Sequence, residues 1–352
     1  MDATRKLESA IAADLRVTRT NPARCRSESY RPEFDSFTVR LASSVEQLTI
    51  AYFGAQSAER GNPAAAAAIG ELNAAMTELH GPIHRDRAIW VDDFGFTNRF
   101  LVAYWTEQTD FDNWFRRRGA AWTADQHLVE GVGFFAEIVR PTVDRLETIF
   151  TSPSHPEGVA NLAETMSGPI VESGYWGAMR DRLPITQTDP VSGSGVPKGI
   201  SSGARVVIAG QDNLALIRSG QDYSETTGPE RDFFLNEIEP TLRAGMDFLR
   251  DNGRAIGCFA NRYLDVVDEQ ERFIEKRSAI SLWNDLASLE GWAKSHPTHA
   301  TIFRAAMRHM AKFGSTAALR LYHEVAVVER GHQWFEYLNC HAGTGLLRVA
   351  LV

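Results

Sequence analysis

Trp105 and Trp114 stand nine residues apart, and the same spacing returns 178 residues later as Trp283 and Trp292. In each pair the first Trp ends a strand-like run and the second lies in the helix-like run that follows. An echo at about half the length of a 352-residue chain constrains the fold strongly. It predicts one module used twice, each copy close to the size of an ordinary domain of roughly 150 residues.

The order of elements agrees. Residues 47–56 (QLTIAYFGAQ) predict a strand and the Ala-rich 63–79 a helix. Two strands are expected at 87–91 and 99–105 around a turn at Gly95, then a helix at 111–124 and a strand at 133–140. That order, βαββαβ, is a split βαβ pattern. In the second half, strands are expected at 204–209 and 214–219, with a turn at 210–213 between them. A helix opens at Pro229 and stops near 251 before Gly253, with a kink at Pro240. Strands at 255–264 and 278–283, helices at 285–295 and 299–312, and a strand at 319–328 complete a second βαββαβ set. A closing hairpin pairs 334–340 with 346–351. The expected fold class is therefore α+β, with duplicated ferredoxin-like modules. The segments are an N-terminal arm (1–44), a first module (45–183), a Pro/Gly/Ser-rich linker loop (184–203) and a second module (204–352). Duplicated units of this kind commonly join their sheets into a barrel, leaving a pocket between sheet and helices.

Composition removes several classes of function. The net charge of −8 argues against a nucleic-acid groove, which needs clustered Lys and Arg. Cys25, Cys258 and Cys340 are far apart and form no CxxC, so neither a disulfide framework nor a cysteine metal site is expected. The N-terminus has no apolar signal core, and no apolar run approaches the ~18 residues of a membrane span. A cytoplasmic protein acting on a small molecule is expected. P-loop, GxGxxG and HExxH patterns are absent, and Ser219 sits in no GxSxG elbow.

Two histidines lie on apolar faces. In Ser295-His296-Pro297-Thr298-His299, Pro297 pushes His296 towards extended geometry and Thr298 is the expected N-cap. Within the helix that follows, Phe303, Ala306 and Met310 lie within about 40° of His299, and Arg304 and Arg308 point away. The first half has Ala121 at the corresponding place. Such a residue is more commonly a core His bonded to a carbonyl. As a functional group it is a neutral imidazole facing an apolar cavity, which suits a haem axial ligand. A zinc site built on His296 and His299 lacks a nearby third ligand. His323 shares a strand face with Leu319, Leu321, Val325 and Val327, and is the only ionisable group on it. It is either a satisfied structural His or a buried acid–base group.

Two further segments carry candidates. Ser219, on the face of Ala215 and Ile217, is expected to end its strand before Gly220. Its hydroxyl is then either a hydrogen-bonding group at a cavity mouth or part of a turn. Between Gly174 and Arg182, two Gly flank two aromatics. Arg180 or Arg182 is placed to reach a polar group, or both are solvated beside Asp181.

Six stretches resemble the haem-containing aldoxime dehydratases: GYWGAMRDR (174–182), LIRSGQDY (216–223), ANRY (260–263), SHPTH (295–299), LRLYHEV (319–325) and FEYLNCH (335–341). RLETIF (145–150) extends the likeness into the first half. The resemblance implies a dimeric α+β-barrel-like protein with non-covalent haem b that dehydrates aldoximes, R–CH=N–OH, to nitriles and water. It implies His299 as axial ligand and His323, Ser219 and Arg180 as distal catalytic residues, with Arg182 the alternative arginine. A glutamate near the haem corresponds to Glu147, and Tyr223 stands where the family pattern leads one to expect Trp. Ferrous haem is then expected to bind the oxime nitrogen. His323 would protonate the leaving hydroxyl and take the carbon-bound proton. The alternatives are a haem peroxidase or chlorite-decomposing enzyme of similar shape, and a non-enzymatic haem carrier or sensor.

Overall fold

The computed structural model describes residues 6–25 and 27–350. In the first half, β1 (Val39–Arg40) is followed by β2 (Thr49–Ser57), α1 (Pro63–Ala75), β3 (His84–Val91), β4 (Thr97–Trp105), α2 (Gln108–Arg117), β5 (Val132–Val139) and β6 (Leu146–Phe150). The middle of the chain holds β7 (Thr165–Met166), α3 (Ala178–Arg182), β8 (Gly199–Ser202) and β9 (Arg205–Ile208). The second half runs β10 (Leu214–Asp222), α4 (Gly228–Phe233), α5 (Glu239–Asn252), β11 (Cys258–Val267), β12 (Phe273–Trp283), α6 (Leu286–Ser295), α7 (Pro297–Phe313), β13 (Arg320–Val328), β14 (Gln333–Leu338) and α8 (Leu347–Ala350).

A single antiparallel sheet organises the molecule, in the order β6-β13-β10-β12-β11-β3-β4-β2-β5-β14-β9-β8. Each half contributes four adjacent strands in the same relative order, with its first strand between its third and fourth. The halves join where β11 pairs with β3. Each half also sends its next strand to the other, since β6 pairs with β13 and β14 with β5. The short connection from Val139 to Leu146 therefore brings the two ends of the eight-strand run close together, and the sheet curls on itself.

Alternation of side chains sorts the core. Ile50, Tyr52, Phe100 and Val102 meet Leu216, Ile280, Leu282 and Ala326 in one shared interior. Residues on the opposite face of the same strands pack under helices. Ala51, Phe53 and Ala136 do so with Ile69 of α1 and Trp114 of α2. In the second half Ala215, Ala279 and Val327 pack with Met246 of α5 and Trp292 of α6. The two tryptophan pairs are equivalent contacts, with ring centroids 5.3 Å apart for Trp105–Trp114 and 5.8 Å for Trp283–Trp292.

Several expectations change. Pro240 does not bend a uniform helix. The turn before α5, Phe234–Ile238, is wound as a π-helix, because the proline has no N–H to give and its ring crowds the carbonyl four residues back. The expected hairpin at 346–351 is not formed among the described residues. β14 already has β5 and β9 on its two sides, so no edge is open, and Leu347–Ala350 coils into α8 with Leu347 and Val349 buried. The stretch 184–203 begins as a buried 3-10 turn, Pro184–Gln187, and ends as β8.

Candidate functional site

Ser219 lies inside β10, not at its end: the strand continues through Gly220 to Asp222. A side chain at Gly220 would collide with the Tyr322 ring, 2.1 Å from where its Cβ would stand. Glycine therefore carries the strand past that ring without ending it. Ser219 is the register partner of His323 on β13, so the two side chains stand beside each other on the helix-covered face. Both are only partly buried.

His323 is held from a neighbouring strand. Glu147 on β6 pairs with Val325, two residues from His323 and on the same face. Its carboxylate lies 3.0 Å from His323 Nε2 and takes two bonds from Arg182, at 2.6 and 3.2 Å. Arg182 Nη2 is also 3.0 Å from Nε2. That single ring nitrogen therefore has an acceptor and a donor at equal distance. Burial alone would raise the pKa of Glu147, but Arg182 and then His323 outweigh it and hold the carboxyl below its usual range. Arg182 sits on α3 and ties down a second segment through the Glu172 carbonyl.

Arg180, the arginine favoured from the sequence, is turned elsewhere. It bonds Glu290 on α6 at 2.7 and 2.9 Å and the Pro190 carbonyl at 3.0 Å. Arg182 is the one that reaches His323. Spacing within a five-residue helix offers two arginines; only packing shows which faces Glu147.

His299 occupies the first turn of α7. The helix starts at Pro297 and His296 is its N-cap, accepting from the Thr298 N–H; Thr298 is already helical. Proline at the first position needs no hydrogen-bond acceptor, which moves the cap one residue back from Pro297. The His299 ring lies 4.6 Å from Trp292 and 6.0 Å from Trp176, centroid to centroid. Its Nδ1 is fully buried without a hydrogen-bond partner. Burial pulls its pKa down to about 4, against the nearby Ala293 carbonyl and with help from the charge of His323. The His299 imidazole is thus neutral at physiological pH. Partly exposed Met179, Ile217, Tyr263 and Ile302 pack at the border of the surrounding core. A neutral imidazole whose Nδ1 lacks a partner, an apolar border and a second, hydrogen-bonded imidazole on the sheet fit a flat apolar cofactor such as haem. Among the described residues no group of three or more His, Cys, Asp or Glu is placed to hold a metal ion.

Fold and site together define a class of protein with a curled antiparallel sheet, a buried imidazole on a covering helix and a hydrogen-bonded imidazole on the sheet, a set of residues that fits haem. The haem-containing dehydratase model matches residues 51–346. An aliphatic aldoxime dehydratase of Rhodococcus erythropolis is 40% identical over 98% of this chain and 99% of its own. A phenylacetaldoxime dehydratase of Bacillus sp. (strain OxB-1) is 27% identical over 91% of this chain and 93% of its own. The crystal structure of an aldoxime dehydratase superposes with a TM-score of 0.94 at 39% identity, covering 98% of this chain and 99% of that one. Another, in complex with butyraldoxime, gives 0.93 at 40% identity, covering 98% and 97%. The chain belongs to the haem-containing dehydratases, and within them it is an aldoxime dehydratase, a carbon–nitrogen lyase.

Proposed function

We propose that this protein converts aldoximes to nitriles with haem b held by His299, and that His323, Ser219, Arg182 and Glu147 are the residues that work on the substrate side. The observation that carries this reading is the double partnership of His323 Nε2 with Glu147 and Arg182. Bound there, ferrous haem would supply an iron centre that takes the oxime nitrogen and weakens the N–O bond.

The chain's residues supply the proton chemistry. Glu147 holds a proton on Nε2, which leaves Nδ1 as the working atom of His323. The imidazolium gives its Nδ1 proton to the leaving hydroxyl. The resulting neutral tautomer keeps Nε2–H on Glu147 and presents a bare Nδ1, which takes the carbon-bound proton. One ring thus serves as acid and then base, with no net proton uptake. Ser219, beside it on β10, orients the hydroxyl by hydrogen bonding. Arg182 keeps Glu147 ionised, so Glu147 always accepts from Nε2. Arg180 has no part in these steps.

The shared strand order of the two halves and their matching Trp contacts support a duplicated ferredoxin-like module, and the chain is read as a cytoplasmic homodimer. Among the described residues, no helix is long and apolar enough to cross a membrane. The deciding experiment is the optical spectrum of the reduced, haem-loaded protein with and without butyraldoxime, followed by chromatographic detection of the nitrile. A spectral shift without nitrile would leave a haem binder and reject the lyase mechanism.

A further inference from the structure

Behind the Ser219–His323 pair stands a second register pair on the opposite face of the same two strands, Arg218 on β10 and Glu324 on β13. Both are 1% exposed, inside the shared interior of the two halves. The Tyr104 hydroxyl, from β4 of the first half, donates to Glu324 at 2.6 Å and accepts from Arg218 Nη1. Arg218 Nη2 reaches Asp86 of β3 at 2.6 Å. The second carboxylate oxygen of Glu324 takes the Val159 N–H at 2.8 Å. Gly158 leaves room for it, because a Cβ there would stand 2.3 Å from that oxygen. Tyr104 is thus a single hydroxyl bridging the two strands that carry the working pair.

We infer that Tyr104, Arg218 and Glu324 are positioning residues for aldoxime dehydration, which fix the spacing of Ser219 and His323 from the far side of the sheet. The inference rests on the assignment of His323 as the acid–base group. Buried charges tolerate little displacement, because a stretched bond in a low-dielectric interior leaves an uncompensated charge. A shift of β10 against β13 would break this chain of bonds. Through it β3 and β4 of the first half, which carry none of the residues assigned to the substrate side, hold the geometry of the strands that do. A misplacement near 1 Å is enough to slow a proton transfer by a large factor.

Tyr104→Phe removes the bridge and keeps the ring. Relative to the unchanged holoenzyme, kcat for butyraldoxime should fall roughly tenfold, with KM within about twofold and haem content unchanged. In a His323→Ala background the same substitution should add almost nothing, since its effect passes through His323. An unchanged kcat in Tyr104→Phe, a full tenfold loss persisting without His323, or a loss matched by lost haem would each overturn the inference. If Tyr104→Phe unfolds, Arg218→Lys, which keeps the charge but cannot hold Tyr104 and Asp86 at once, is measured by the same criteria. His323→Ala with undiminished turnover would instead reject the acid–base assignment itself, and this inference with it.

Discussion

Setting the two halves side by side from their strand-end tryptophans shows where they part. Trp105 pairs with Thr49, and Trp283 with Ala215. Four residues along, Phe53 of the first half answers to Ser219 of the second, and their neighbours across the sheet are Ala136 and His323. Phe53 and Ala136 are fully buried, and Phe53 packs against Trp114 with ring centroids 5.7 Å apart. Ser219 and His323 remain partly exposed. At the same sequence offset the first half has Ala121, exposed in a short 3-10 turn, where the second has His299 in the first turn of α7. At this level of the strands one half packs Phe53 and Ala136 under its helices, while the other sets Ser219 and His323 there. The same strand order therefore carries an apolar contact in one half and a polar pair in the other.

Four measurements press on this contrast. The largest effect belongs to His299→Ala, which should lose essentially all bound haem, read as Soret absorbance per chain after gel filtration. Full retention would mean that the pocket holds haem by other means, and the contrast with Ala121 would lose its meaning. His323→Ala should keep haem and lose about 10²- to 10⁴-fold in turnover, a result that separates the two histidines by role. In the filled half, Phe53→Ala should cost about 3–5 kcal/mol in denaturant unfolding. Turnover per folded, haem-loaded chain should stay the same; if it collapsed, the apolar core around Phe53 would also shape the site.

The smallest effect is electrostatic. Glu147 has a folded pKa below its ordinary 4.5, so the unfolded chain binds more protons over the intervening pH range. Its stabilising contribution is present in full above that ordinary value and is lost as pH falls through the lowered one. Unfolding free energies of the native chain and Glu147→Gln should therefore differ at neutral pH and converge in acid. A constant difference down to pH 2 would mean that ionisation of Glu147 contributes nothing.

Much of this was legible in the sequence because it depends on period and spacing. Alternation placed His323 on an apolar face, and the helical stripe singled out His299. Partners from distant segments were not legible. Glu147 and His323 lie 176 residues apart, and no local pattern distinguishes Arg182 from Arg180. The resemblance at RLETIF (145–150) pointed to Glu147 near the haem, but nothing in it pointed to the bond with His323. Nor did the pattern around Gly220 betray that its strand continues, because a glycine after a short apolar run looks like a turn until the Tyr322 ring is seen to need the room.

The sequence by itself determined the repeated order of elements, the faces of its strands and helices, and the two histidines that do not belong on apolar surfaces. These follow from local chemistry, since side-chain period and backbone preference act over a few residues. Only the tertiary structure decided which arginine meets His323, that the first half reaches the rear of the working strands through Tyr104, and that no edge of β14 was left for a final strand. Those outcomes depend on which segments compete for the same buried space and the same hydrogen bonds, and that competition exists only once the sheet has closed around its shared interior.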